Sequence, residues 1–189
     1  MQFIYITNFL KILFLNLLYI KGIFSSIKGY IYNNEIILKS KLNLILKLIF
    51  FLKKHSYFQY KILSDLCCID YLEKKYRFEI VYNFLSIVFN SRITLTCFMD
   101  EFTKMDSISK IHKSAGWFER EAWDMFGVFF KGNEDLRRIL SDYGFKGHAM
   151  QKNFPLVGFY EVNYNNFYNI VRHFEISLSQ DYRRYLYNN

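Results

Sequence analysis

The feature that most constrains the fold is a set of three β-prone segments in the middle of the chain. They are rich in Ile, Val, Leu, Phe, Tyr and Thr, the residues that favour strands, and they span residues 60–70, 76–89 and 92–99. The second and third are separated only by Asn90-Ser91, a short turn that predicts an antiparallel hairpin. We therefore expect a sheet whose strands come largely from this region.

Helical patterns lie on both sides of these strands. Residues 42–54 place apolar side chains at the 3.6-residue spacing of an amphipathic helix. A second helix is predicted at 115–126, with Ser114 as its N-cap and Gly127 as its end. We expect Phe118, Ala122, Met125 and Phe126 to cover the sheet from one helical face, and the charged residues to occupy the remaining surface.

Weaker signals occur near both ends of the chain. Asn33-Asn34 lies between β-prone flanks and suggests a hairpin, and a short final helix is predicted around 174–186. Residues 127–164 contain five of the eight Gly and the only Pro, so we expect an extended loop there.

Segregated helices and strands predict an α+β fold rather than an alternating βαβ fold. We expect a two-layer domain, with a mostly antiparallel or mixed sheet covered by helices and a long Gly-containing C-terminal extension. The predicted organisation is an N-terminal basic and apolar arm at 1–29, an α+β domain at 30–126, and an extended C-terminal segment at 127–189 that wraps partners.

The positive charge is confined to the first third of the chain. Residues 1–61 hold nine Lys and one acid, Glu35, whereas acidic and basic residues balance after residue 61 although the net charge is +8. Residues 1–20 approach the length of a membrane span, but Lys11 disfavours spanning. An amphipathic helix packed on the body or on a partner is the favoured interpretation, and a basic nucleic-acid-binding module is the alternative.

The residues that cofactor chemistry needs are missing from the sequence. Cys67, Cys68 and Cys97 are too few and wrongly spaced for an iron–sulfur cluster, and no Gly-x-Gly-x-x-Gly run is present for a dinucleotide. The four His are isolated, which disfavours a zinc site. A hydrolase would require Glu121, Asp142 and His148 to converge in one pocket. We expect no catalytic residue, metal or cofactor in this chain.

The segment from Trp117 to Gly127 resembles the signature of the thirty-kilodalton subunit of respiratory complex I. That pattern is Glu-Arg-Glu, an acid, two apolar residues, Gly, and then an Arg pair. It is matched here by Glu119, Arg120, Glu121, Asp124, Met125, Phe126, Gly127, Arg137 and Arg138. The resemblance extends clearly over about residues 60–164. The chain departs from the family pattern at Asn133, Ala149, Gln151 and Asn153, where His, Pro, Arg and Asp are usual.

The resemblance implies a non-redox core subunit of the peripheral arm of proton-pumping NADH:ubiquinone oxidoreductase. Such a subunit would face the matrix side of the mitochondrial inner membrane and would support assembly. Its partners would be other peripheral-arm subunits, especially the quinone-site subunit, and it would reach the membrane only through the complex.

Three structural expectations follow from these residues, from the charge and apolar run of the first third of the chain, and from the resemblance. The charged signature residues should fix the geometry of the helix and the loop within the subunit. Arg137 and Arg138 should hold the Gly-rich loop by pairing with carboxylates of the 119–124 helix or of a neighbouring subunit. Residues 1–20 should lie mainly on other subunits.

Overall fold

The computed structural model describes residues 2–180 and 183, with side chains from residue 11 onward. The longer elements are α1 (Gln2–Ile23), β1 (Lys28–Tyr32), β2 (Glu35–Ser40), α2 (Ile45–Lys54), β3 (Ile62–Asp70), β4 (Phe78–Ser86), β5 (Ser91–Met99), α3 (Ala115–Phe126), β8 (Tyr160–Asn165) and β9 (Ile170–Glu175). Between them lie a 3₁₀ turn at Leu42–Leu44 and two short strands, β6 (Met105–Asp106) and β7 (Phe130–Lys131). Three helices and a five-stranded sheet confirm the α+β fold.

The main sheet is mixed and has the strand order β1-β2-β5-β4-β3. Every neighbouring pair is antiparallel except β2 and β5, which run parallel. The expected hairpin is β4–β5, which pairs Ser86 with Ser91, and Asn90 in its turn has a φ of 44°. The parallel neighbour of β5 comes from the N-terminal part of the chain, so the sheet joins two distant stretches of sequence.

The weak hairpin signal at Asn33-Asn34 is confirmed. Both residues have positive φ, 48° and 61°, and they connect β1 to β2 in register from Tyr32–Glu35 outward. Two successive residues in this region form the turn whose twist matches that of the flanking strands. Asn tolerates the left-handed conformation better than other non-Gly residues, which is why an Asn pair suffices here.

One apolar core lies between the sheet and the helices. Alternate residues of the central strands point into it, including Tyr82 of β4 and Leu95 of β5, and Leu48 and Leu52 enter from α2. The opposite face of the sheet is only partly covered, as the alternating burial along β4 shows. The two-layer arrangement therefore follows from strands that are apolar mainly on one side.

Helix α1 packs on the sheet through Leu13, Leu17 and Ile20, which are buried. Gly29 of β1 allows this approach, because a Cβ there would lie 2.5 Å from Leu17 Cδ1. Within the described residues, no helix is both long enough and apolar enough to cross a membrane.

The helix predicted at 174–186 is wrong as far as the structure describes it. Residues 170–175 form β9, which pairs with β8 in a two-stranded hairpin, and residues 176–180 are not helical. The remaining positions of that prediction, apart from 183, lie outside the described residues.

Candidate functional site

Helix α3 carries most of the signature residues and has the predicted limits. It ends at Gly127, whose φ of 78° is left-handed and whose N–H donates to the Trp123 carbonyl at 2.9 Å. The close approach of the His148 ring also requires Gly here, since a Cβ would lie 2.7 Å from that ring. The predicted N-cap is wrong, because Ser114 has helical backbone angles and its side chain makes no capping hydrogen bond.

The inner face of α3 is charged, contrary to the expected placement of its charged residues on the outer surface. Glu119 and Asp124 are both 0% exposed, whereas Phe118 and Phe126 are only partly buried. The buried apolar residues of α3 are Ala115 and Ala122. Neighbouring loops supply hydrogen-bond donors to the two carboxylates.

Glu119 binds the loop that precedes α3. Its Oε2 accepts from Ser107 Oγ at 2.6 Å and from Asn133 Nδ2 at 2.8 Å, and its Oε1 accepts from the Ile108 N–H at 2.8 Å. Burial raises the pKa of this carboxyl group, and the three hydrogen bonds offset part of that rise. Asn133, one of the positions at which the chain departs from the resembled pattern, thus acts as a hydrogen-bond donor to this carboxylate.

Asp124 binds the loop that follows the arginine pair. Its Oδ2 accepts from the backbone N–H groups of Ile139, Leu140 and Ser141 at 3.2, 2.7 and 2.9 Å. Its Oδ1 accepts from Arg138 Nη1 at 3.0 Å and from the Ser141 hydroxyl. Burial alone would raise the pKa of Asp124, but the bonds from Ser141, Leu140 and Arg138 outweigh it and lower the pKa to about 2. The carboxylate therefore stays charged in the folded protein.

Arg138 and Arg120 connect this network to the loop backbone. Arg138 Nη1 also donates to the Gly147 carbonyl at 2.9 Å, so one guanidinium links α3 to two points of the loop. Arg120 Nε donates to the Arg137 carbonyl at 3.0 Å, and its guanidinium lies 4.9 Å from the centre of the Trp117 ring. The expected pairing with a helix carboxylate occurs for Arg138.

Two signature residues lie outside the buried network. The side chain of Arg137 is 73% exposed and contacts exposed Asp135 at 3.0 Å, not a carboxylate of the helix. Glu121 is exposed on α3. The hydrolase arrangement is also not formed: among the described residues no hydrogen bond joins Glu121, Asp142 and His148. His148 Nδ1 lies instead 3.0 Å from the Asp124 carbonyl oxygen.

A second polar junction, which the sequence reasoning missed, connects the sheet to the loop after α3. Arg77 makes two hydrogen bonds to the Asp70 carboxylate, at 2.8 and 3.0 Å, and a third to Asn153 Oδ1 at 2.8 Å. The Lys152 N–H donates to Asp70 Oδ2 at 2.9 Å. Asp70 and Arg77 flank the β3–β4 turn, so opposite charges seven residues apart were the only signal available in the sequence.

The three Cys do not converge on one site. Cys67 and Cys68 are adjacent on β3 and therefore point to opposite faces of the sheet, one exposed and one buried. Burial raises the pKa of Cys97 to about 12, which keeps this thiol protonated. Among the described residues, no group of three or more His, Cys, Asp or Glu side chains is arranged to hold a metal.

Comparison with known proteins identifies the family to which these features belong. Residues 38–160 match the family model described as the respiratory-chain NADH dehydrogenase, 30 Kd subunit. The chain belongs to this family. The matched region contains the whole signature, both polar junctions and four of the five strands of the main sheet, β2 being included from its residue 38 onward.

Individual relatives agree with this family assignment. NADH-ubiquinone oxidoreductase subunit 9 of Reclinomonas americana is 48% identical over 80% of this chain and 74% of that protein. NADH dehydrogenase [ubiquinone] iron-sulfur protein 3 of Solanum tuberosum is 48% identical over 74% of this chain and 73% of that protein. The comparisons support the complex I interpretation and not the nucleic-acid-binding module.

The fold of the 30 Kd subunit family also occurs in a more distant structure. A chain in the membrane-bound sulfane sulfur reductase, an archaeal respiratory membrane complex, superimposes with a TM-score of 0.65 and 19% sequence identity. The match covers 75% of this chain and 84% of that one. At this level of identity the likeness shows a shared fold.

Proposed function

We propose that this chain is a non-redox core subunit of the peripheral arm of NADH:ubiquinone oxidoreductase. Its role is to give that arm a rigid surface on which the quinone-site subunits assemble. The observation that carries the proposal is the internal use of the signature charges. The hydrogen bonds of these charges are made within this chain, by Glu119, Asp124 and Arg138. Such internal bonding suits a structural role, because it leaves none of the three side chains free to act as an acid or a base.

The proposed location is the matrix side of the mitochondrial inner membrane. Family membership supports a place in complex I, and the names of the relatives support the ubiquinone-linked enzyme. The proposed partners are other peripheral-arm subunits, above all the quinone-site subunit, and the segment 127–189 is proposed to wrap them. Membrane association then occurs through the complex.

We further propose that the chain holds no flavin, haem or iron–sulfur cluster. For the iron–sulfur cluster, the support comes from the thiols: Cys67 and Cys68 point to opposite faces, and burial raises the pKa of both Cys68 and Cys97. A thiolate is the form that binds iron, so protonated buried thiols are poor ligands. Metal and flavin analysis of the purified chain tests this point, and a stoichiometric cofactor would contradict it.

The structural role is tested by separating assembly from turnover. An affinity-tagged chain should purify with the other complex I subunits and with NADH:ubiquinone reductase activity. Asp124→Ala should lower the amount of assembled complex while activity per assembled complex stays near wild type. Glu121→Ala, which removes an exposed carboxylate of the same helix, is the matched control. A full amount of complex with lost turnover would instead indicate a direct part in catalysis.

A further inference from the structure

Helix α1 has a second apolar face, on the side opposite to the core. Ile12, Leu15, Leu18 and Tyr19 occupy it, and each is about half exposed, from 48% for Leu18 to 63% for Leu15. Their spacing of three, four and seven residues places them in one stripe along the helix. A helix that is apolar on all sides is normally covered on all sides, and the described part of this domain buries only one side of α1.

Helix α2 lies beside this stripe. Tyr19 Oη is 3.3 Å from His55 Nε2 at the end of α2, and the Phe24 and Phe51 rings meet edge-on with centroids 5.5 Å apart. These contacts place the C-terminal ends of α1 and α2 side by side.

The outer face of α2 adds an aromatic ring and positive charge. Lys47, Phe50 and Lys54 are all exposed and lie three and seven residues apart, on one side of the helix. On α1, exposed Lys11 lies four and seven residues before Leu15 and Leu18 and so shares their stripe. We call the set Lys11, Ile12, Leu15, Leu18, Tyr19, Lys47, Phe50 and Lys54 the outer α1–α2 surface.

This surface has no acidic residue of its own. In residues 1–61 the only acid is Glu35, which lies in β2, whereas nine Lys occur in the same stretch. Lysines at the edge of an apolar patch are stabilised by carboxylates on the other side of an interface, and interfaces commonly have apolar centres with polar rims. The surface therefore complements one that is apolar at its centre and acidic at its edge.

We propose that the outer α1–α2 surface docks on such an acidic-rimmed surface of another subunit of the same complex. The inference rests on the proposed function, since it takes the partner from the complex. A protein partner fits better than a lipid surface. Membrane-bound helices insert their apolar face about 5–10 Å into the interface, and here that would carry Lys11 with it, because Lys11 shares the stripe of Leu15 and Leu18. An acidic side chain of a protein partner would instead pair with this lysine.

Most of the outer α1–α2 surface lies outside the matched family region, since only Lys47, Phe50 and Lys54 of α2 fall within it. That match begins at residue 38, after α1 and β1. The side chains of the outer surface point away from the core, so polar substitutions there leave the buried face of α1 intact. The surface can thus be tested without unfolding the domain.

The test uses the full chain in the assembled complex. A photo-crosslinking amino acid at position 15 should link the chain to another complex I subunit, within or next to a segment rich in Asp and Glu. Leu15→Asp combined with Leu18→Asp should reduce incorporation into the complex about tenfold, as expected when the centre of an interface becomes charged. Lys11→Glu, Lys47→Glu and Lys54→Glu together should reduce it about threefold, more at low salt than at high salt.

Matched controls lie elsewhere on the surface. Phe102→Asp changes a side chain that is 92% exposed in the loop after β5, and Lys75→Glu changes an exposed lysine of the β3–β4 turn. Both should leave incorporation within about twofold of wild type. Circular dichroism of each variant checks that the fold is retained.

Several outcomes would overturn the docking surface. These are normal incorporation of the Asp and Glu variants, crosslinking of position 15 only within this chain, and crosslinking to phospholipid. Binding of the wild-type chain to anionic phospholipid vesicles that the Leu15→Asp, Leu18→Asp variant loses would also overturn it. If the tagged wild-type chain fails to purify with complex I activity, the proposed function fails instead, so the two results are distinguishable.

Discussion

Helices α1 and α3 pack on the same domain in opposite ways. The side of α3 that faces the domain carries two fully buried carboxylates, Glu119 and Asp124, whereas the corresponding side of α1 carries Leu17 and Ile20. The outer side of α1 is also apolar, with Leu15 exposed. Helix α3 thus buries two of its charged side chains, whereas α1 carries apolar side chains on both its inner and its outer side.

The difference shows that burial is set by available partners as well as by hydropathy. The carboxylates of α3 can be buried because two loops present N–H, hydroxyl and guanidinium donors to them. Among the described residues, mainly the end of α2 reaches the outer side of α1, through the contact of His55 with Tyr19. A charged side chain can therefore be buried when hydrogen-bond donors surround it. An exposed apolar stripe on a helix, by contrast, indicates a surface that contacts another molecule.

The largest effect is expected from breaking the inner side of α3. Asp124→Ala leaves Arg138 and three backbone N–H groups without their acceptor, which should cost about 3–5 kcal/mol of unfolding free energy. Chemical denaturation of the purified chain measures it. Glu121→Ala should change stability by less than about 0.5 kcal/mol. Equal effects of the two substitutions would contradict the assignment of the network.

Substitutions on the two sides of α1 should also differ clearly in their effect on the free energy of unfolding. Leu17→Ala removes a buried side chain that packs over Gly29 and should destabilise the domain by about 2–5 kcal/mol. Leu15→Ala, on the outer side, should change the stability of the isolated chain by less than about 0.5 kcal/mol. If both substitutions destabilise the isolated chain equally, the outer side of α1 is covered by this chain itself.

Acid should distinguish the two carboxylates of α3. The pKa of Asp124 falls from its ordinary 3.8 to about 2 on folding, so its contribution is present above pH 4 and is lost as pH falls towards 2. The loss should be about 2 kcal/mol. The pKa of Glu119 is raised, so stability should increase as pH falls through its folded value towards about 4.3, the value in the unfolded chain.

Unfolding free energies between pH 2 and 7 measure both contributions. Asp124→Asn should flatten the loss below pH 4, and Glu119→Gln should remove the rise at mildly acidic pH. A wild-type profile that these substitutions leave unchanged would show that neither carboxylate titrates as the structure requires.

The smallest effects are expected from two Gly residues, Gly116 within α3 and Gly127 at its C-terminal end. Gly127→Ala places a Cβ against the His148 ring in a left-handed conformation, and it should cost about 1–3 kcal/mol. Gly116 is inside the helix with open space around it, so Gly116→Ala should stabilise the chain by about 0.5–1 kcal/mol. Thermal unfolding of both variants provides the measurement, and effects of the same sign would contradict it.

Local chemistry explains why much of the fold could be predicted from the sequence. The limits of α3, the Gly127 end and the β4–β5 hairpin depend on residues close together in the chain, and all three predictions are correct. The final hairpin was missed because the alternation along Tyr160–Asn165 is weak, and its turn carries polar and aromatic residues without Gly or Pro. Periodicity alone does not separate a short helix from a ribbon in such a segment.

The sequence predicted which residues belong to the candidate site but not how their side chains are arranged. The signature identified Asp124 and Arg138, yet helical spacing placed Asp124 on the outer surface because charged residues are mostly exposed. Its burial depends on backbone N–H groups of residues 139–141, whose loop conformation no local pattern specifies. The parallel pairing of β2 with β5 escaped prediction for the same reason, since it joins residues more than fifty positions apart in the sequence.

That pairing also sets an order of events during synthesis. The N-terminal hairpin β1–β2 forms from its own residues, but it has no place in the sheet until β5 has left the ribosome. At about 5–20 residues per second, the fifty residues that separate β2 from β5 correspond to roughly 3–10 seconds. Throughout that interval the sheet on which α1 packs is incomplete, so both apolar faces of α1 are accessible to chaperones. The strand order thus determines how long the apolar faces of α1 stay exposed during synthesis.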